Sequence, residues 1–424
     1  MLFFLHMPRT AGRTYHSCFL KTATPPSRRC EKSYDVLRLN ASIPSCGLLS
    51  SHDDMSLIDN LPDDAAFVTQ LRDPVDRVLS AYEFATEVAC RSLALNQPRR
   101  RDARSTDTRN VWPWSGLVPW LEDEVQTRTR TAGAANASVE DPYNSPLIVP
   151  LAQWIEHPLV LEHIHDGQTL QILGLTNYSH WTHAKGLRHC LQSQAPGSKA
   201  RKSLMSLALK RLNTFVHVGA TELLDTSIAS LADTLGLRMQ GRAYQTVTPG
   251  AFQENEATKQ GNVTKLREEQ QQLQQRMASA DSVPKQVKRD TEFLHKDPLW
   301  KALRICEERA RQKNLSRREN SLRHVNGLRF SSAARKAIDP VILARIRELN
   351  SMDVQLHAEG RRLLDERLAV TRDKLEDIPR LSGHEQSKLV GPAQTQSPQL
   401  PQQHHRTPQS STAQQKDELR ARHR

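Results

Sequence analysis

The sequence predicts an α/β fold with a central parallel sheet flanked by helices, and two strand-to-helix junctions carry this prediction. Leu2 to Leu5 form a short apolar run of the kind that a buried parallel strand needs, and Phe67 to Leu71 form a second one. Each run leads through a polar turn into a stretch compatible with a helix. Two further strands are predicted, at residues 168–175 and 215–219, the latter followed by a helix that Thr221 caps and that runs to Leu235.

The first junction has the features of an anion-binding loop. Pro8 and Gly12 end the strand pattern, and the helix-compatible stretch begins near Arg13. Backbone N–H groups at a helix N-terminus, together with the helix dipole, attract anions. Basic and hydroxyl side chains add further donors there, namely Arg9, Thr10, Arg13 and Thr14. The Gly-x4-Gly-Lys-[Ser/Thr] spacing of a Walker loop is absent.

The second junction predicts a helix that starts beside another phosphate-binding position. Asp73 can cap a helix whose first turn contains Pro74. One face of this helix is apolar at the spacing i, i+3, i+4 and i+7, through Val75, Val78, Leu79 and Tyr82. Arg72 at the end of the strand and Ser80 two turns into the helix could then reach one phosphate.

Together the junctions resemble the nucleotide-binding segments of sulfotransferases. His6-Met-Pro-Arg-Thr-Ala-Gly-Arg-Thr14 is similar to the 5′-phosphosulfate loop of the heparan sulfate 2-O- and 6-O-sulfotransferases, and residues 71–82 are similar to their 3′-phosphate segment. Other stretches resemble the plant-type tyrosylprotein sulfotransferase family, a relative of the heparan sulfate 6-O-sulfotransferases, among them Ser51-His-Asp-Asp54, Trp112-Pro-Trp114 and Gly174-Leu-Thr-Asn177. The resemblance covers residues 1–235 and 303–364 and implies a P-loop-like sulfotransferase fold.

The resemblance also implies a donor substrate and the residues that bind it. The donor is 3′-phosphoadenosine 5′-phosphosulfate, and no metal is expected. Its 5′ end is expected to contact the first loop, at Pro8, Arg9, Thr10, Gly12, Arg13 and Thr14. Arg72 and Ser80 are expected to hold the 3′-phosphate. His52 is the expected base and Arg9 a fixed positive charge on the leaving group, whereas the alternative for His52 is a surface histidine beside two aspartates.

Three alternatives remain for the function. The favoured one is sulfation of tyrosine hydroxyls in acidic peptides or proteins. The second is sulfation of a heparan sulfate-type glycan at the 6-O position, for which the shared fold and His52 argue almost equally well. The third is a non-catalytic protein that binds nucleotides or polyanions. The formal charge of +12 favours acidic partners, and without a recognition motif nucleic acid is not an expected partner.

Composition divides the chain into four parts. Residues 1–245 are predicted as the main part of the sulfotransferase domain, 246–298 as a charged, Gln-rich insertion that is helical or disordered, 299–370 as its C-terminal helical part, and 371–424 as a disordered tail. The basic run at 301–347 is either a solvated face or an electrostatic funnel for the donor or an acidic acceptor. The tryptophans between Trp112 and Trp120 favour a packing role over stacking on the acceptor.

Cysteines and glycosylation sequons indicate the secretory route. Among six cysteines, Cys30 and Cys46 are the most local candidates for a disulfide, and reduced core thiols are the alternative. Five Asn-x-[Ser/Thr] sequons also favour the secretory route, at Asn40, Asn136, Asn177, Asn262 and Asn314. We expect a glycoprotein of the Golgi lumen. The signal and membrane anchor of the plant family are not found in this sequence, and a truncated start is our expectation.

Overall fold

The structure is a computed structural model that describes residues 1–30, 46–94, 108–131, 141–236 and 298–376. Its strands are β1 (Leu2–Leu5), β2 (Leu48–Ser51), β3 (Ala66–Leu71) and β4 (His217–Ala220). The helices up to β4 are α1 (Gly12–Thr14), which continues as a π-helix (Tyr15–Leu20), then α2 (Lys21–Ala23), α3 (Pro74–Ala94), α4 (Trp114–Thr131), α5 (Leu151–Glu156), α6 (Pro158–His163), α7 (Gly167–Leu173), α8 (Ala184–Ser193) and α9 (Lys199–Leu212). After β4 follow α10 (Leu224–Thr234), α11 (Pro298–Leu322), α12 (Ser332–Lys336), α13 (Pro340–Leu349) and α14 (Ser351–Glu376). Short 3₁₀ helices lie at Pro26–Arg28, Met55–Asn60, Thr108–Asn110, Thr221–Leu223 and Arg323–Val325.

The four strands form one parallel sheet in the order β2-β1-β3-β4. Central β1 pairs on one side with β2, where Leu5 lies opposite Ser51, and on the other with β3, where Leu5 lies opposite Thr69. Because parallel strands need crossover connections, helices separate β3 from β4 in the chain. The predicted α/β fold with a central parallel sheet is confirmed.

Alternation along the strands places the core on both faces of the sheet. Phe3 and Leu5 pack on one face with α7 and α9, whereas Phe4 packs on the other with the first helix and α10. A third cluster joins α3 to α4, α5 and α13. The predicted apolar face of α3 is buried, and the Asp73 carboxylate caps the helix by accepting the Asp76 N–H at 3.1 Å.

The prediction of a strand at residues 168–175 is wrong, because α7 occupies this position. An aspartate remote in sequence caps the helix: Asp353 accepts the N–H groups of Gln168 (3.2 Å) and Thr169 (2.8 Å). Gly174 ends α7 with a φ of 75°, which glycine adopts without strain. Four of residues 170–175 are large and apolar, which is also typical of a buried strand, whereas the capping Asp353 lies far away in the sequence.

Two disulfides connect the N-terminal segment to other parts of the chain. Cys30 pairs with Cys46, the most local candidate pair in the sequence. Cys18 pairs with Cys306, 288 residues away, and this bond was not predicted. It joins the helix that follows the first loop to α11.

Several predictions fall wholly or partly outside the described residues. Most of the Gln-rich insertion and the tail do, since α11 begins at Pro298 and the described part of α14 ends at Glu376. Residues 298–375 belong to the same compact unit as the N-terminal part. Residues 91–94 and 128–131, which begin two polar stretches of the sequence, are the helical ends of α3 and α4. In the described ranges, no helix is long and apolar enough to cross a membrane.

Candidate active site

One residue directly after each of the four strands lines the same cleft. His6 follows β1, His52 follows β2, Arg72 follows β3 and Thr221 follows β4, and the cleft has a volume of about 610 Å³. In an open parallel sheet, the carboxyl ends of the strands are where ligands bind. The cleft is therefore the candidate active site.

The first loop takes an unusual backbone path on its way into α1. Arg9 and Ala11 have positive φ angles of 70° and 57°. A Cβ atom on Gly12 would lie 1.9 Å from Cδ2 of the His6 ring, so only glycine fits against this histidine. Thr10 is fully buried and its hydroxyl donates to the Met7 carbonyl at 2.9 Å, which holds the loop closed.

Eight of the nine predicted site residues line the cleft. They come from three segments, and they are Pro8, Arg9, Gly12, Arg13, Thr14, His52, Arg72 and Ser80. Thr10 is the exception, because its side chain points into the loop rather than into the cleft. Two motifs that lie about sixty residues apart in sequence thus meet at one surface.

Arg9 makes the direct connection between the two motifs. Its Nε and one terminal nitrogen donate to the Ser80 hydroxyl at 3.0 and 2.8 Å, and its guanidinium lies 4.4 Å from the centre of the Phe84 ring. Arg72 donates to the Arg9 carbonyl at 3.2 Å. Burial and the nearby charge of Arg72 lower the pKa of Arg9 to about 9. Cations held together in this way favour the binding of an anion.

His52 lies in the cleft with its ring 5.1 Å from that of His6. Burial, with the charge of Arg13, lowers the pKa of His52 to about 4. The imidazole is consequently neutral at physiological pH and able to accept a proton. His6 also lines the cleft and is not one of the nine predicted site residues.

The two aspartates after His52 are fully buried, and His52 itself is partly buried. Asp54 accepts the N–H groups of Ser56 (3.0 Å) and Thr176 (2.9 Å). The Asp53 carboxylate lies 2.8 Å from Nε2 of His180. These contacts fix the segment that presents His52 to the cleft.

The comparison with known proteins is consistent with this arrangement. No family model matches the chain, and no solved structure matches it. A curated protein-tyrosine sulfotransferase of Arabidopsis thaliana is 30% identical over 370 residues, which are 84% of this chain and 73% of that protein. The chain belongs to the protein-tyrosine sulfotransferase family. It is a sulfotransferase, and the resemblance found in the sequence is confirmed.

The C-terminal part of this sulfotransferase forms one wall of the cleft. Seven arginines and three glutamates line the cleft, and four of these arginines come from the basic run, namely Arg311, Arg317, Arg318 and Arg335. Three of these four pair with carboxylates on α3: Arg317 with Glu87, and Arg318 and Arg335 with Glu83. The sequence allows two interpretations of the basic run, a solvated face or an electrostatic funnel. Part of the run faces the cleft.

Two more residues outside the motifs hold the second junction in place. Gln168 accepts the Arg72 N–H and donates to the Arg72 carbonyl, both at 2.9 Å. Glu222 accepts the Asp73 N–H at 2.6 Å. The prediction that Thr221 caps the following helix is wrong, because its hydroxyl donates to the Leu71 carbonyl at 2.9 Å. The Gly-x-Thr-Glu segment therefore connects β4 to the end of β3.

The tryptophans near the cleft are packed residues. Trp112 and Trp114 are 3% and 5% exposed. Trp114 packs edge-on against Phe84 at 4.9 Å, and Nε1 of Trp112 donates to His163 at 3.2 Å. Within the described ranges, no group of three or more histidine, cysteine or acidic side chains is placed to hold a metal ion.

Proposed function

We propose that this sulfotransferase moves the sulfuryl group of 3′-phosphoadenosine 5′-phosphosulfate to tyrosine hydroxyls of acidic peptides or proteins. The observation that carries the proposal is the contact between the two phosphate motifs, Arg9 with Ser80 and Arg72 with Arg9, in a cleft lined by arginines. The Arabidopsis relative is named for transfer to protein tyrosine, which favours this acceptor over a glycan.

The cleft fits a donor that carries phosphate at both ends. Pro8, Arg9, Thr10, Gly12, Arg13 and Thr14 would hold its 5′ end, and Arg72 and Ser80 its 3′-phosphate. Burial lowers the pKa of Arg72, as it lowers that of Arg9, so both cations lie in surroundings that favour a nearby negative charge. Arginine forks match the oxygens of phosphate in geometry as well as in charge.

The donor supplies a sulfuryl group that is bonded to a good leaving group. Residues of the chain supply the base and the positive charge that the transfer needs. His52 accepts the proton of the acceptor hydroxyl as the tyrosine oxygen forms its bond to sulfur. The bond between sulfur and the 5′-phosphate oxygen breaks in the same step, and the leaving group departs with the electron pair. Arg9 remains charged throughout and stabilises the oxygens on which negative charge grows.

The surface around the cleft is suited to an acidic acceptor. Arg311 of α11 lines the cleft and its side chain is 66% exposed, and Arg13 is a second exposed arginine that lines it. Exposed arginines attract acidic residues and speed their encounter with the site. A neutral acceptor tyrosine flanked by acidic residues would bind with those residues on this basic rim.

We place the reaction in the Golgi lumen. Two disulfides support an oxidising compartment, because such bonds are rare where thiols are kept reduced. The sequon at Asn177 lies on an exposed residue, as glycosylation requires. Endoglycosidase treatment of the protein from its native host would test whether it is a glycoprotein.

The experiment that tests the function is a competition between acceptors. Donor carrying labelled sulfate is offered to the enzyme together with an acidic tyrosine peptide and a 6-O-desulfated heparan. We expect label on the peptide, at the tyrosine, and none on a peptide in which phenylalanine replaces tyrosine. Label on the glycan alone would overturn the acceptor assignment, and binding of the nucleotide without transfer to either would favour a non-catalytic role.

A further inference from the structure

Glu83 is an unexpected residue in a cleft that binds an anion. Its carboxylate is 4% exposed, and it lies one helical turn after Ser80, on the same face of α3. A buried negative charge is costly to keep and repels an anionic ligand. We therefore expect Glu83 to have a role whose benefit outweighs the cost of burial and the repulsion of the ligand.

Three side chains from distant segments converge on Glu83. Arg318 of α11 donates to one carboxylate oxygen at 2.6 Å, and Arg335 of α12 donates through Nε to the other at 2.7 Å. The Tyr143 hydroxyl donates to the same oxygen as Arg335 at 2.7 Å. Burial raises the pKa of Glu83, but hydrogen bonding and charge from Arg335 and the charge of Arg318 outweigh this effect and hold it below the ordinary value. The carboxylate is therefore ionised.

Both arginines are positioned to contact more than Glu83. Their side chains are 28% and 26% exposed, and both line the cleft. Arg335 also lies 3.5 Å from the Asp76 carboxylate through a terminal nitrogen. A guanidinium carries five N–H donors, so donors remain on both arginines for a further anion. Arg335 also lies close enough to Arg72 for its charge to lower the pKa of Arg72. The two arginines thus extend the cationic surface formed by Arg9 and Arg72.

We propose that Arg318 and Arg335 bind anionic groups of the donor nucleotide, and that Glu83 is the positioning residue that aims both guanidinium groups into the cleft. This inference rests on the proposed function, since it takes an adenosine phosphate as the ligand. It adds a third segment, from the C-terminal part of the chain, to the two phosphate motifs. Glu83 itself does not touch the donor.

Replacing Glu83 by glutamine distinguishes two possible roles of Glu83, because the two roles predict opposite changes in the affinity for an anion. If Glu83 only neutralises charge, Glu83→Gln adds a net positive charge to the cleft and tightens the binding of an anion. If Glu83 orients the arginines, the same variant weakens binding. We expect the Kd for adenosine 3′,5′-bisphosphate to rise by about tenfold, since each misaligned guanidinium loses a charge-assisted hydrogen bond.

The arginines are tested with variants that keep the charge. Arg318→Lys and Arg335→Lys should each raise the Kd several-fold, because lysine cannot reproduce the fork. In the double variant Arg318→Met, Arg335→Met, adding Glu83→Gln should not raise the Kd any further, because no guanidinium is left for Glu83 to orient. Glu156→Gln is the matched control, since Glu156 pairs with Arg345 outside the cleft, and its Kd should equal that of the unchanged protein.

Titration calorimetry on the full chain gives the decisive values, and thermal unfolding shows that each variant is folded. Steady-state kinetics add a readout that a purely structural role would not move: KM for the donor rises in Glu83→Gln while KM for the peptide stays constant. Unchanged or tighter nucleotide binding by Glu83→Gln overturns this inference and leaves the proposed function intact. No nucleotide binding by the unchanged protein overturns the proposed function itself.

Discussion

Asp353, in the first turn of α14, caps α7, and Asp166, directly before α7, caps α14 in return. Asp353, near the start of α14, accepts the first N–H groups of α7, and Asp166, just before α7, accepts those of Met352 (2.9 Å) and Asp353 (3.1 Å). Asp353 also lies 3.3 Å from the buried guanidinium of Arg77. Because Gln168 in α7 bonds to both backbone groups of Arg72, this reciprocal capping connects the C-terminal helices to the candidate 3′-phosphate site.

Asp353→Asn should strongly destabilise the protein. The substitution keeps the size of the side chain but removes the charge of the carboxylate nearest to the buried Arg77, which costs about 3–5 kcal/mol. Urea unfolding measures the loss. Asp339→Asn is the matched control, because Asp339 is an exposed N-cap of α13 and asparagine caps about as well. A similar small change in both variants would show that the Asp353 pair contributes little.

Arg72→Ala should weaken the binding of adenosine 3′,5′-bisphosphate by about tenfold or more, because a guanidinium facing a phosphate is lost. Gln168→Leu should produce a smaller loss, since it leaves Arg72 in place but removes both bonds that hold its backbone. Calorimetry with Arg345→Ala as the control, an arginine outside the cleft, measures both. Equal affinity in Arg72→Ala and the control would contradict the 3′-phosphate assignment.

His52→Ala should abolish turnover and spare nucleotide binding. Loss of a general base lowers kcat by about 100-fold or more, whereas the phosphate contacts proposed for Arg9 and Arg72 remain. Sulfate transfer to a tyrosine peptide and calorimetry on the same sample give the two values. His189→Ala, at a half-exposed histidine paired with Glu162, is the control. A parallel loss of turnover and binding would show that His52 acts on the structure of the cleft instead of on the proton.

Short stretches of sequence specify several of the strands, turns and helix starts around this cleft, and for that reason these elements could be predicted. The apolar runs before His6 and Arg72, and the cap at Asp73, are short patterns that specify strand, turn and helix by themselves. The missed features depend on partners far away in the chain. α7 resembles a strand until Asp353 is known to cap it, and Glu83 resembles an ordinary helix residue until Arg318 and Arg335 reach it. No short sequence pattern predicts contacts between residues that lie so far apart in the chain.

The buried histidines should make the protein less stable as the pH falls. Burial lowers the pKa of His16, His52 and His165 to about 4 and that of His217 to about 3, from an ordinary value of 6.5. The unfolded chain therefore binds protons from about pH 6.5 downward while the folded chain does not. The stabilising contribution of each histidine is present in full above pH 6.5 and is lost as the pH falls toward its folded pKa.

His217→Gln isolates one of these contributions. His217 is fully buried, so its removal should reduce the fall in unfolding free energy between pH 7 and pH 5 by up to about 1.4 kcal/mol per pH unit. Urea unfolding of the variant and of the unchanged protein at both pH values measures this difference. The contributions of the other ionisable groups are common to both proteins and largely cancel. His324→Gln, at an exposed histidine, serves as the control and should keep the pH dependence of the unchanged protein. The same pH dependence in His217→Gln would mean that His217 is protonated within the folded state, against its position inside the sheet.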